Sequence, residues 1–150
     1  MTQSTMTASV MRAGQGEDGV SWNILGQTYR PVARTESAFA FDTLFPPGTF
    51  VPPHIHPTQD EFIRVLEGHF ELVLDGATAT AGPGDLVRLP RGVPHGIFNR
   101  SEAPVRALFW VAPALRLHEL FARLHDMADP AEVVRTAAEY DVNFLPPPDA

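Results

Sequence analysis

Between Trp22 and Val111 the chain is written in short apolar runs cut by glycine and proline. Residues 37–45 put Phe39, Phe41 and Phe45 on one parity, the period-two pattern of a strand with one buried face. Pro46-Pro47-Gly48 then turns the chain. The runs 62–66 and 69–74 flank Gly68, and in the second Phe70, Leu72 and Leu74 alternate with His69, Glu71 and Val73. Asp75-Gly76 follows as a two-residue hairpin signal, because such turns need residues that tolerate positive φ. Gly82-Pro83-Gly84 and Pro90-Arg91-Gly92 bracket a strand over 85–89, and 105–111 reads as one more. Many short strands with Gly/Pro punctuation predict a mostly β fold, a sandwich, jelly roll or barrel.

After Pro113 the period changes. Leu117, Leu120, Phe121 and Leu124 follow i, i+3, i+4, i+7 and predict an amphipathic helix. Asp129-Pro130-Ala131-Glu132 opens a second one, with Asp129 suited to the N-cap, Pro130 to the first helical position and Glu132 to the third. Val133, Val134, Ala137 and Tyr140 supply its apolar face. The run Phe144-Leu145-Pro146-Pro147-Pro148 cannot be helical, and Phe144 and Leu145 are placed to pin the end onto the domain. Residues 1–19 are polar and aperiodic, as in a disordered arm. The expected organisation is an arm over 1–20, a β unit over 21–112, and C-terminal helices with a tail over 113–150 packed on the same domain.

Composition narrows the chemistry. With 150 residues, 44% hydrophobic and 19% charged, one domain with a real core is expected. The chain has no cysteine, which excludes disulfides, thiol nucleophiles and thiolate metal sites. All 11 basic residues are arginine, which excludes Schiff-base chemistry, a pyridoxal anchor and a lysine-bearing phosphate loop. A net charge of −7 argues against nucleic acid and anionic membranes as partners. The longest apolar stretch, 107–115, is cut by Pro113 and spans no bilayer. The first twenty residues carry no apolar stretch of the secretory kind, so a cytoplasmic protein is expected. Gly14, Gly16 and Gly19 form a dinucleotide-type glycine pattern, but Glu17 and Asp18 would repel a pyrophosphate.

The candidate chemistry lies in four residues. His54 and His56 sit in a proline-bounded extended segment, and at strand period two both imidazoles project from one face. Glu61 opens the next strand and His95 lies in a second Pro/Gly-framed segment. Three neutral imidazoles and one carboxylate suit a borderline divalent cation: Fe, Mn, Co, Ni, Cu or Zn. On spacing alone, hydrogen-bonded core histidines are the alternative. His118 and His125, seven apart on the predicted helix, share a face but lie too far apart for one ion, and read as a solvated flank. His69 has outward parity. Arg64 and Arg88 read as surface or interface residues before substrate contacts. Phe39, Phe41, Phe98 and Phe109 suggest an aromatic-lined pocket.

The wider spacing resembles the cupin family. Gly48-x5-His54-x-His56-x4-Glu61-x6-Gly68 fits its first motif, and Gly84-x5-Pro90-x-Gly92-x2-His95-x3-Asn99 fits its second. The resemblance implies a jelly-roll β-barrel with His54, His56, Glu61 and His95 binding one metal inside it. Such a site, near +1 in charge, favours an anionic oxygen chelator such as an enolate, phenolate or 2-oxo acid. Glu61 distinguishes the chain from thiol dioxygenases, which usually lack it. Phe62 after Glu61 argues against oxalate-degrading members, and the intact ligands argue against seed-storage ones. The helical ending, with Tyr140-Asp141-Val142-Asn143-Phe144, is similar to single-domain cupins of the quercetin dioxygenase-like group. That similarity implies an O2-dependent dioxygenase acting on a flavonol or other enolisable aromatic, with Glu61 as both ligand and catalytic base. Two other outcomes stay open: a non-redox cyclase or isomerase in which the metal stabilises an enolate, and a binding protein without turnover. The resemblance also implies a homodimer, and the outward parity of Phe62, Arg64 and Leu66 offers it an apolar face.

Overall fold

The structure is a computed structural model that describes residues 6–146. The predicted arm over 1–20 and the tail from Phe144 to Pro148 therefore lie partly outside the described residues. After a short 3-10 turn, Glu17–Gly19, the chain forms strands β1 (Trp22–Ile24), β2 (Gln27–Arg34), β3 (Phe39–Phe45), β4 (Phe50–Ile55), β5 (Asp60–Glu67), β6 (Phe70–Leu74), β7 (Ala77–Ala81), β8 (Leu86–Leu89), β9 (His95–Phe98) and β10 (Val105–Ala112). Helices α1 (Leu117–Leu124) and α2 (Pro130–Ala138) follow, then a short strand β11 (Asn143–Phe144). The strands build two sheets, ordered β1-β2-β3-β10-β5-β8 and β11-β4-β9-β6-β7. Every pairing is antiparallel. This is the mostly β fold with C-terminal helices that the hydrophobic pattern predicts, and the jelly roll that the family resemblance implies.

Period-two burial drives the sheets together. In β3 Phe39, Phe41, Thr43 and Phe45 are buried, and in β10 Val105, Ala107, Phe109 and Val111. Phe109 pairs with Phe41 on one side and Ile63 on the other, so apolar side chains line up across three strands. The Thr43 hydroxyl, buried among them, donates to the Ala107 carbonyl at 3.0 Å. Asp75 and Gly76 have φ of 51° and 83° and join the pair Leu74–Ala77, the expected tight hairpin. Gly68 is the glycine that both conformation and space require. Its φ is +81°, and a Cβ there would lie 2.7 Å from the Pro104 carbonyl oxygen.

The helices cap one end of the jelly roll. In α1 the buried residues are Leu117, Leu120, Phe121 and Leu124, the predicted stripe. Asp129 caps α2 by accepting from the Ala131 N–H at 3.0 Å. Val133 and Ala137 are buried as expected, but Val134 is 41% exposed and Tyr140 lies past the end of α2. The turn beyond α1 corrects a second expectation. α1 stops at Leu124, so His125 is off the helix, where its Nδ1 accepts from the Asn23 N–H at 2.9 Å. His118 is no freely solvated flank either: its ring stands edge-on to Trp22 at 5.0 Å and to Phe39 at 5.5 Å. None of the described helices is long and apolar enough to cross a membrane.

Candidate metal centre

The four predicted residues meet at one point between the sheets. His54 near the end of β4 pairs directly with His95 at the start of β9 in the five-stranded sheet. Glu61 faces them from β5 in the six-stranded sheet, and His56 stands just past β4. All four are buried, and one ligand atom from each lies within 4.8 Å of the others. Glu61 Oε1 is 3.0 Å from His95 Nε2 and 3.9 Å from His56 Nε2.

A bulge sets this arrangement. β4 spends three residues from Val51 to His54 while β9 spends two from Ile97 to His95, so the ladder shifts at Pro52-Pro53. The shift reverses side-chain parity, and Val51 and His54, three apart, are both buried. Proline can neither donate to the ladder nor close it, which is why the irregularity falls there.

Hydrogen bonds fix which nitrogen each ring presents. His54 Nδ1 lies 2.8 Å from the Pro52 carbonyl and His95 Nδ1 lies 3.1 Å from the Val93 carbonyl. His56 Nδ1 lies 3.2 Å from Gln59 Oε1. Each of these oxygens only accepts, so each Nδ1 carries the proton, and in a neutral ring Nε2 is left bare. His95 Nε2 then faces the Glu61 carboxylate as one lone pair against another. Such a pair is favourable only with a cation between its members, a proton or a metal ion. The donor set therefore fits a divalent transition ion, with the carboxylate and the Nε2 lone pairs as its contacts.

Electrostatics agree. Burial lowers the affinity of His54 for a proton well below the ordinary range, aided by the neighbouring His95 and His56. Burial and His95 lower His56 as well, against the pull of Glu61. For Glu61 burial works to raise the carboxyl, but a positive charge on His56, His95 and His54 outweighs it and lowers the group to about 2, so the carboxylate needs a cation beside it.

A cavity of about 50 Å³ lies between this cluster and the helical cap. Tyr29, Phe41, Phe109, Phe121 and Phe144 supply its aromatic wall, and Glu61 is the acidic residue in its lining. No arginine lines it among the described residues. Of the phenylalanines expected there, Phe41 and Phe109 line it. Phe39 is buried behind them, its ring tilted against Phe41 at 5.2 Å. Phe98 is a correction: it faces outward, stacked on Phe50 at 5.5 Å beneath the Arg100 guanidinium. Arg64, Arg88 and His69 are exposed, as expected. Tyr29, Phe121, Phe144 and Gln59 joined the site without a functional reading from the sequence. Tyr29 carried a legible signal, the alternation of Gln27, Tyr29 and Pro31 on the inward parity of β2.

Residues 41–111 match the family model described as Cupin domain. That match, the two-sheet jelly roll and its four-residue cluster together support the cupin superfamily for this chain. Among its relatives is the tetracenomycin polyketide synthase protein TcmJ of Streptomyces glaucescens, 30% identical over 74 residues, 49% of this chain and 50% of that one. The polyketide cyclase RemF of Streptomyces resistomycificus superposes with a TM-score of 0.60 at 26% identity, covering 71% of this chain and 80% of that one. A 48-residue segment is 42% identical to quercetin 2,3-dioxygenase of Bacillus subtilis, covering 32% of this chain and 14% of that one. The chain spans about half the length of the polyketide synthase relatives it matches.

Proposed function

We propose that this protein is a metal-dependent enzyme that takes a proton from an apolar, enolisable aromatic substrate. In this reading His54, His56, Glu61 and His95 hold one divalent transition ion, and Glu61 is the catalytic base. The observation that carries it is the pairing of three bare Nε2 atoms and one carboxylate with a cavity whose remaining walls are hydrocarbon and aromatic. When bound, the ion supplies Lewis acidity, which lowers the pKa of a coordinated hydroxyl.

The chain's own residues do the rest. Glu61, ionised beside that cation, accepts the proton of the substrate hydroxyl or of the carbon beside its carbonyl. Phe41, Phe109 and Phe121 wall the cavity and exclude water, which strengthens every charge interaction at the cluster; at about 50 Å³ it holds less than an aromatic ring, so the substrate enters with the helical cap displaced. Among the described residues the lining has no arginine for a phosphate or a distal carboxylate, which disfavours sugar phosphates. The polyketide names of TcmJ and RemF support an aromatic, oxygen-rich substrate class. A second reading adds O2-dependent ring cleavage after the same proton transfer, and the segment shared with quercetin 2,3-dioxygenase favours it. We also infer a homodimer across the outer face of the six-stranded sheet. There Phe62 stacks on Trp110 at 5.3 Å beside the exposed Leu66 and Leu86.

The test is metal content per chain by elemental mass spectrometry, followed by substrate deuteration in heavy water. Wild type should carry close to one ion, and His56→Ala should lose it. Exchange into a phenolic 1,3-diketone should fall by about a hundredfold or more in Glu61→Gln. Stoichiometric O2 uptake by the wild type would select the dioxygenase reading, and exchange indifferent to O2 the cyclase or isomerase one. A chain that takes up none of the six candidate ions overturns the enzyme reading and leaves a small-molecule-binding protein.

A further inference from the structure

We infer that Gln59 is a positioning residue: it sets which nitrogen His56 presents to the cluster and ties that ligand to the junction between the jelly roll and its helical cap. The inference rests on the metal-binding reading above and extends it to a residue in the loop between β4 and β5.

The argument is one of donors and acceptors. Gln59 is 5% exposed, so its amide must find partners within the protein. Its Nε2 lies 3.0 Å from the Pro113 carbonyl and 2.9 Å from the Ala114 carbonyl. Carbonyls only accept, so the amide nitrogen must face that side and the orientation of the group is determined. Oε1 is thereby turned toward His56 Nδ1, 3.2 Å away. An amide oxygen also only accepts. His56 Nδ1 must carry the proton, and Nε2 is left bare toward Glu61 and His95.

The other two imidazoles are set differently. His54 and His95 each find a carbonyl two residues upstream, on Pro52 and Val93. Those bonds are local to the strand ends and survive any side-chain substitution. His56 alone depends on a side chain, and through it on two carbonyls more than fifty residues away. Pro113 and Ala114 lie between β10 and α1, where the Ala114 N–H also donates to the Glu36 carbonyl at 3.3 Å. Displacement of the cap would move the two carbonyls that orient Gln59, so access to the cavity and presentation of one ligand share a joint.

Two substitutions separate this role from simple packing. Gln59→Leu removes every bond. Gln59→Glu keeps an oxygen for the His56 N–H but loses both bonds to the cap junction. Both variants should melt below wild type. Cobalt(II) affinity, by calorimetry and visible absorption, should fall about tenfold to a hundredfold in Gln59→Leu and stay within about threefold of wild type in Gln59→Glu. Long-range 1H–15N spectra of the metal-free chain should show His56 protonated at Nδ1 in wild type and Gln59→Glu, and partly at Nε2 in Gln59→Leu. Undiminished cobalt binding in Gln59→Leu, or an equal loss in both variants that tracks their melting, would overturn the inference. A wild type that binds no cobalt would sink the metal reading instead. The tautomer comparison would then decide on Gln59 alone, and an identical tautomer in wild type and Gln59→Leu would overturn it.

Discussion

Replacing Phe121 by alanine tests whether the helical cap and the jelly roll are one cooperative unit. Phe121 is 8% exposed and is the residue of α1 that reaches deepest among the strands' aromatic rings. Its centroid lies 4.9 Å from Phe41, 5.0 Å from Tyr29, 5.9 Å from Trp22 and 6.0 Å from Phe39. A buried Phe→Ala change costs about 3–5 kcal/mol, least where neighbours can collapse into the space. Here they cannot: the four rings come from β1, β2 and β3, whose backbones are held in one ladder. A loss of about 4 kcal/mol follows, and with it a fall in Tm of roughly 8–16 °C for a chain of this size. Urea unfolding should be followed by tryptophan fluorescence and far-ultraviolet dichroism together. Trp22 packs on Phe121 and so reports the cap, while Trp110 on the outer face of β10 reports the sheet. The two probes should move together in wild type and in Phe121→Ala. Val134→Ala, at a position 41% exposed on α2, should stay within about 0.5 kcal/mol of wild type. A loss below about 1 kcal/mol in Phe121→Ala, or a Trp22 transition separate from that of the strands, would refute the reasoning.

Other consequences are as direct. The Tyr29 hydroxyl donates to Gln27 Oε1 at 2.9 Å, and Gln27 is wholly buried, so Tyr29→Phe should cost about 1–3 kcal/mol in urea unfolding by orphaning that acceptor. Burial, with Glu61 adding to it, raises the Tyr29 phenol above its ordinary range. The unfolded chain therefore loses this proton first. Stability from this group should be intact below about pH 10 and decline above it, and Tyr29→Phe should flatten that decline in alkaline melts. Gly68→Ala should lose clearly more stability than Gly76→Ala, because both have positive φ but only Gly68 would meet a backbone carbonyl; equal losses by calorimetry would show that the contact is relieved. Light scattering should give a mass near twice 16.4 kDa, and Leu66→Glu should halve it; a wild-type monomer would remove the dimer.

Much of the architecture could be read along the chain because its signals are local. Alternation in β3 and β6, the Asp75-Gly76 turn and the Asp129 cap each depend on neighbours a few residues away. The spacing of His54, His56, Glu61 and His95 marked the four candidate ligands for the same reason, since strand parity and turn glycines are local properties. Phe98 also carried a local signal: it has the parity opposite His95 and Ile97, both buried, so it faces out. His125 had none. His125 continues the spacing of α1, yet the helix ends before it and its ring takes the Asn23 N–H.

What the sequence by itself determined is which face of each element is apolar and which side chains can offer a lone pair or a charge. Strand order decided the rest. It set His54 opposite His95 in one sheet and Glu61 across from them in the other, brought Phe121 onto Tyr29 and Phe41, and delivered two carbonyls of the cap junction to Gln59. Those pairings are separated by tens of residues, and their stability is the sum of many long-range contacts. No short stretch of sequence carries that sum, so the donors were legible one by one, and their convergence only through the family resemblance.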